Sequence, residues 1–181
     1  MEAFRKLDFR IGRIIAVDLF PKARNPSYKV RVDFGPCLGI RMSSAQLTKG
    51  YPDPSTLVGQ LTLAVINFPP RRIAGFSSEV LITGMYADDV RVFLVQPAQE
   101  VEVGSRVTVL DSVTGGLLDV GDKAAQGATI EDFHQCQFAL TASKYLGLGG
   151  YDEHILAVEN GESDPIPLVT SDEIAVGTAL K

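Results

Sequence analysis

The chain predicts an all-β fold: a β-barrel with a short N-terminal helix and a second, smaller β-rich segment at the C-terminal end. Three observations carry that expectation. Apolar and polar residues alternate in short runs, and the runs recur closely over residues 8–110. Glycine and proline clusters separate them, leaving no room for the helices of a βαβ fold. Five or six strands at this spacing favour closure over a sandwich.

Each element has a local reason. EAFRKL, residues 2–7, reads as a turn or two of amphipathic helix with Phe4 and Leu7 on one side, too short to be stable alone. DFRIGRIIAVDLF, residues 8–20, is a long first strand in which Gly12 predicts a bulge or bend. PKARNPS breaks it with a basic loop between Pro21 and Pro26. Tyr28, Val30, Val32 and Phe34 then alternate with Lys29, Arg31 and Asp33, the pattern of a half-buried strand. LGIRMSSAQL is a third strand, and a helical turn is expected at Ser55 to Val58. LTLAVINF is a fourth strand, stopped at Pro69-Pro70 because proline cannot donate to a ladder. SEVLITGMYA and VRVFLVQP form a hairpin around Asp88-Asp89, and VEVGSRVTVL returns as a short strand or turn.

Bulk properties narrow the function classes. With 181 residues, 45% apolar and 22% charged, the chain has the composition of a globular protein, one large domain or an ordinary domain with an addition. No leading basic-then-apolar pattern or membrane span is visible, so a cytoplasmic protein without a membrane partner is expected. Cys37 and Cys136 read as reduced thiols, and with His134 and His154 they show no zinc spacing. No phosphate loop, nucleophile triad or carboxylate pair beside a histidine is present, so the reading is not an enzyme, with no cofactor and no metal. Charge is divided: residues 1–110 carry 14 Lys and Arg against 10 Asp and Glu, or +4, and residues 111–181 carry 3 against 12, or −9. A basic surface that meets an anion, with an acidic segment that repels anions or covers that surface, is one reading; two solvated faces is the other.

Several spaced motifs then bear a family likeness. DFRIGRI, FPKARNPSYKVRVDFG, IRMSSAQLTKGY, LVGQLTLAVINFPPRRIAGFSSEVLITG and VFLVQPAQEVEVG, in that order, resemble the CsaA-type tRNA-binding domain, an OB-fold module related to the C-terminal domains of methionyl-tRNA synthetases. The likeness runs from about Phe4 to Arg106. It implies a homodimeric OB barrel that binds tRNA or other structured RNA through shape and backbone, and for the CsaA branch a chaperone-like role in export with unfolded polypeptides. The expected domains are residues 1–108, the tRNA-binding OB fold, and 109–181, an acidic β-rich extension. A homodimer also gives Phe4 and Leu7 somewhere to hide.

By the same likeness Ser44, Gln46, Asn67, Arg71, Arg72, Ser78 and Glu79 are RNA-binding candidates, with Arg41 added for its charge. The prolines before Arg71 and Arg72 fix φ near −65°, so both guanidinium groups are expected to point outward with little freedom to lose on meeting phosphate. Otherwise one of them pairs with Glu79 or Asp33. Asn67 hydrogen-bonds a base or ribose, or else local backbone. Glu79 is read as an orienter that accepts from an arginine, a hydroxyl or a base edge. Lys22, Arg24, Lys29 and Lys49 extend the footprint or are plain surface. Among Tyr28, Phe34, Tyr51, Phe68 and Phe76, the two phenylalanines flanking the arginines are candidates for stacking on bases.

The likeness stops before the last third of the chain. Its end, IPLVTSDEIAVGTALK, aligns by eye with VFLVQPAQEVEVGSRV, and ATIEDFHQCQF echoes MEAFRKLDF. Either a partial second copy or an unrelated β-rich appendage is expected there, and GLGG is read as a turn. An acidic tether beside a basic site could also occupy it in competition with RNA.

Overall fold

The computed structural model describes residues 2–118, 127–149, 153–161 and 163–181. Helix α1 (Glu2–Lys6) leads into β1 (Phe9–Leu19), β2 (Tyr28–Asp33) and β3 (Ile40–Ala45). A 3-10 turn at Pro54–Leu57 precedes β4 (Leu61–Val65). A short arm, β5 (Arg71–Ile73) and β6 (Phe76–Ser78), leads to β7 (Leu81–Ile82), β8 (Gly84–Tyr86), β9 (Val92–Leu94) and β10 (Gln96–Pro97). The C-terminal part holds β11 (Val107–Asp111), helix α2 (Ile130–Gln135), β12 (Ala139–Leu140), β13 (Leu146–Gly147), β14 (His154–Asn160) and β15 (Ser163–Val169). Of GLGG, Gly147 ends β13, Gly149 has a φ of 71°, and Gly150 lies outside the described residues.

The all-β barrel expected from the sequence is the architecture of the N-terminal part. Its main sheet runs β3-β2-β1-β4-β7, and every pairing in it is antiparallel. The alternation in β2 works as predicted: Tyr28, Val30, Val32 and Phe34 are buried with Ile14, Leu57, Ala64, Ile82 and Leu94 in the barrel interior. The β8–β9 hairpin forms around Asp88, whose carboxylate accepts from the backbone N–H of Val90 and Arg91 and from Arg91 Nε, interactions that pull its pKa down to about 2.

Gly12 departs from its expected role. It pairs with Thr62 in unbroken register, and the irregularity in β1 lies between Ile14 and Ala16. Glycine is required at position 12 by packing: a Cβ there would sit 2.4 Å from Val32 Cγ1 and 2.6 Å from Phe34 Cε1.

The C-terminal segment is β-rich and packs onto the barrel. β11 pairs with β14, β14 with β15, and β15 with the barrel's own β10. The expected boundary at residue 108 therefore falls inside β11. The two segments that align by eye meet here, Gln96 opposite Val169 and Pro97 opposite Leu168. A second core forms where the segment covers α1 and one side of the barrel, uniting Phe4, Leu7, Phe9, Leu63 and Val107 with Phe133, Phe138, Leu156 and Leu168. Phe4 and Leu7, the apolar pair on which the homodimer expectation drew, are thus covered within the chain.

Four phenylalanine rings organise that core. Phe4 and Phe9 stand 5.8 Å apart, and Phe133 and Phe138 stand 5.5 Å apart. Across the junction Phe4 lies 6.1 Å from Phe138, and Phe9 lies 6.3 Å from Phe133 and 5.4 Å from Phe138. The distances are similar within and across the junction, but the ring orientations differ, 22° between the planes of Phe4 and Phe9 against 54° between those of Phe133 and Phe138. The echoing segments ATIEDFHQCQF and MEAFRKLDF both contribute rings to this core. Helix α2, absent from the sequence expectation, starts at a capping box: Thr129 Oγ1 accepts from the Asp132 N–H at 3.2 Å while Asp132 Oδ2 accepts from the Thr129 N–H at 3.0 Å.

Asp132 also accepts from Lys6 Nζ at 2.8 Å, tying α2 to the last turn of α1. The hydrogen bond from Lys6, then those from Thr129, hold its pKa below the ordinary 3.8. A carboxylate whose folded pKa is depressed stabilises the fold above its unfolded pKa, and that contribution fades as pH falls through the folded value. Thermal melts of Asp132→Asn against the wild type should therefore show a lower Tm for the variant near neutral pH. The gap should close as pH drops below 3.8; a gap independent of pH would contradict this role.

Candidate nucleic-acid interface

NFPPRRIAGFSSE folds as a protruding hairpin, an element the sequence reading did not foresee. After Pro69-Pro70 the chain runs up β5, turns at Ala74-Gly75, and returns down β6. Both turn residues have positive φ, 47° and 85°, as a two-residue turn with the twist of its strands requires. Register places Arg71 opposite Ser78, Arg72 opposite Ser77 and Ile73 opposite Phe76. Side chains alternate along a strand, so Arg71, Ile73, Phe76 and Ser78 share one face of the ribbon and Arg72 and Ser77 the other. Both Arg71 and Arg72 are exposed, on opposite faces of the ribbon.

The Arg71 face turns toward the barrel sheet. Ser78 Oγ accepts from the Ser44 N–H at 3.0 Å, and the Phe76 ring meets Phe20 edge-to-face at 5.4 Å. Lys29 Nζ lies over both rings, 4.9 Å from the Phe20 centroid and 5.3 Å from that of Phe76. In register Lys29 stands between Asp18 of β1 and Ser44 of β3, and Arg31 between Ala16 and Met42. The loops carrying Lys22 and Arg24, and Lys49, leave the same end of the β2–β3 pair, where Tyr28 is opposite Ala45. Lys22, Arg24, Lys29, Arg31, Lys49, Arg71 and Arg72 take part in no ion pair among the described residues. The salt bridge from Arg71 or Arg72 to Glu79 or Asp33 does not form.

The remaining sequence candidates separate into different roles. Gln46 is exposed just beyond β3. Arg41 lies an odd number of positions from Ser44, hence on the other face of β3, where its Nε donates to the Leu38 carbonyl at 3.2 Å. Asn67 is a clamp: its Oδ1 accepts from the Asp8 N–H at 2.9 Å and its Nδ2 donates to the Lys6 carbonyl at 2.7 Å, locking the α1–β1 junction. Glu79 spends its carboxylate on the Met42 N–H at 2.8 Å while its own N–H donates to the Met42 carbonyl at 2.8 Å. It orients the edge of β3 and no arginine. With Ser78 and the Ser43 hydroxyl, which donates to the Val80 carbonyl at 2.9 Å, it closes the barrel between β3 and β7 largely through side chains. Tyr28 and Phe34 are buried in the barrel interior, Tyr51 packs against that core, and Phe68 packs against the second core. Phe76 alone of those five rings joins the basic face. Phe20, its neighbour, was missed although it closes the first strand directly before Pro21.

Residues 9–106, more than half of the chain, match the family described as "Putative tRNA binding domain". The chain belongs to that family. The methionine–tRNA ligase of Porphyromonas gingivalis is 36% identical over 106 residues, 59% of this chain but only 15% of the ligase. The module therefore corresponds to a small part of such an enzyme. Among solved structures, the chaperone CsaA of Bacillus anthracis is 46% identical with a TM-score of 0.55, over 58% of this chain and 94% of CsaA. The C-terminal domain of Plasmodium vivax p43 covers all of both chains with a TM-score of 0.73 at 13% identity, so barrel and C-terminal segment together form a known fold.

Two described carboxylates of the C-terminal segment form ion pairs, Asp132 with Lys6 and Glu173 with Arg91; among the described residues none pairs with the hairpin arginines or with Lys22, Arg24, Lys29 or Lys49. Occupation of that face by the acidic segment has no contact behind it among the described residues. No described helix is long and apolar enough to cross a membrane. The seam through Glu79 has a direct consequence: Glu79→Ala leaves the Met42 N–H without its acceptor and should cost about 1–3 kcal/mol in urea unfolding. Glu79→Gln, which keeps a side-chain oxygen, should cost clearly less. Equal losses would show that the hydrogen bond is not what closes the barrel there.

Proposed function

We propose that the chain is a non-catalytic module that binds tRNA by shape and phosphate contacts on the outer side of β1–β2–β3 and the Arg71 face of the hairpin. Residues 1–108 supply the binding surface and 109–181 buttress it. The observation that carries this reading is a set of cations without carboxylate partners among the described residues, Lys22, Arg24, Lys29, Arg31, Lys49 and Arg71, on the β2–β3 side and hairpin of a family-matched barrel. Cations left free of ion pairs are ready to displace the counterions of a polyanion. Ser44, Gln46 and Ser78 border the surface; Arg72 serves as an outlying contact, and Arg41, Asn67 and Glu79 act as supports. The working unit in this reading is a single chain, because the face around Phe4 and Leu7 is already covered, and a cytoplasmic location follows from the ligand.

The second reading, an export-related chaperone-like protein that binds unfolded polypeptides, draws on the printed description of CsaA as a chaperone. The edge of β3 disfavours it for peptides added as a strand, since Ser78 and Glu79 already hold the Ser44 and Met42 N–H groups.

Gel-shift titration with total tRNA at several salt concentrations, with light scattering on the complex, tests the proposal. Affinity should fall steeply with salt, and the complex should hold one chain per tRNA. Arg71→Ala should weaken binding roughly tenfold and reduce the salt slope by about 1, with Arg72→Ala losing clearly less. Salt-independent binding, or peptide binding that tRNA does not displace, would favour the second reading.

A further inference from the structure

The ring pair on the basic face has a geometry that phosphate binding does not require. Phe20 is 4% exposed and fixes the Phe76 ring edge-to-face, while Phe76 itself remains only half-buried at the base of the hairpin turn. The Lys29 ammonium rests over both rings, although Asp18 stands opposite it in the β1–β2 register and no ion pair joins them. A cation stored on aromatic faces is held by a weak, partly hydrated interaction, and a planar ligand can take its place. An aromatic site can also hold a ligand cation, but Lys29, Arg31 and Arg71 make the surroundings repulsive to one. The ligand class that answers both the rings and the field is planar and anionic: a nucleotide whose base is free to leave its partner.

We infer that Phe76, braced by Phe20, is a stacking platform for one unpaired nucleobase, with Lys29 moving from the ring faces to that nucleotide's phosphate. This deepens the tRNA reading and rests on it, by specifying that the bound RNA presents a single-stranded nucleotide at the hairpin. Arg71, on the same ribbon face, then meets an adjoining phosphate, and the Ser44 hydroxyl stands within the strand row of Lys29 to meet a base edge or 2′-hydroxyl. Stacking is indifferent to base identity because every base has a π face, so the site selects unpaired structure and not sequence.

The test compares two single strands of about 12 nucleotides, within the usual span of an OB fold: an RNA with its bases and an abasic strand with the same number of phosphates. The full-length wild-type chain should bind the base-bearing strand roughly tenfold tighter than the abasic one. Phe76→Leu, checked for folding by circular dichroism, should bring the ratio close to one. Lys29→Gln should keep the ratio while lowering the salt slope by about 1. A wild-type ratio near one, or a large ratio that survives Phe76→Leu, overturns the platform. If tRNA binding then remains salt-sensitive and dependent on Arg71, the tRNA reading stands without it; if neither strand nor tRNA binds, both fall.

Discussion

The packing of Phe4 and Phe9 against Phe133 and Phe138 is the contact on which the arrangement of the molecule depends. A helix as short as α1 has no stability of its own, and α2 is scarcely longer. Each becomes structure by burying a phenylalanine against the segment that follows the other, with Lys6 and Asp132 fastening the rim. Because this junction consumes the apolar side of the barrel, the opposite side is the one left to solvent. Among the described residues, Asp132 and Glu173 of the C-terminal segment pair with Lys6 and Arg91, while Lys22, Arg24, Lys29, Arg31, Lys49 and Arg71 on β2, the neighbouring loops and the hairpin join no ion pair.

The open side combines rigid and projecting parts. β2 and β3 are held in continuous register from Tyr28 opposite Ala45 to Asp33 opposite Ile40. The hairpin is anchored at its base by Ser78 on Ser44 and by Glu79 on Met42, so Arg71 is carried on a short lever with a fixed root. A polyanion meeting such a face needs little rearrangement of the backbone, which keeps the entropic cost of binding low.

Much of the barrel was legible because its strands obey a period of two with one wet face. Tyr28 to Phe34 declared their sides by alternation alone, and Pro69-Pro70 and Asp88-Asp89 marked a stop and a turn. The hairpin was not legible: its turn is Ala74-Gly75, and alanine at a φ of 47° advertises no turn. Gly12 looked like a bend because a sequence cannot show that Val32 and Phe34 fill the space of its missing Cβ. The C-terminal segment was readable as β-rich, but its pairing with β10 depends on contacts distant in the chain. Within the candidate site, the separation of Arg41 from Ser44 and of Arg71 from Arg72 follows from parity only once β3 and β5 are known to be strands. The roles of Asn67 and Glu79 could not be counted, since both serve backbone groups far along the sequence.

Hydrogen–deuterium exchange of the full chain with and without tRNA addresses the central claim directly, that ligand meets the face left bare by the phenylalanine junction. Protection should appear in residues 20–31, 41–49 and 69–79, while residues 127–140 and 163–181 exchange as in the free protein. Protection concentrated on α2 and the C-terminal strands, with the hairpin unchanged, would contradict it.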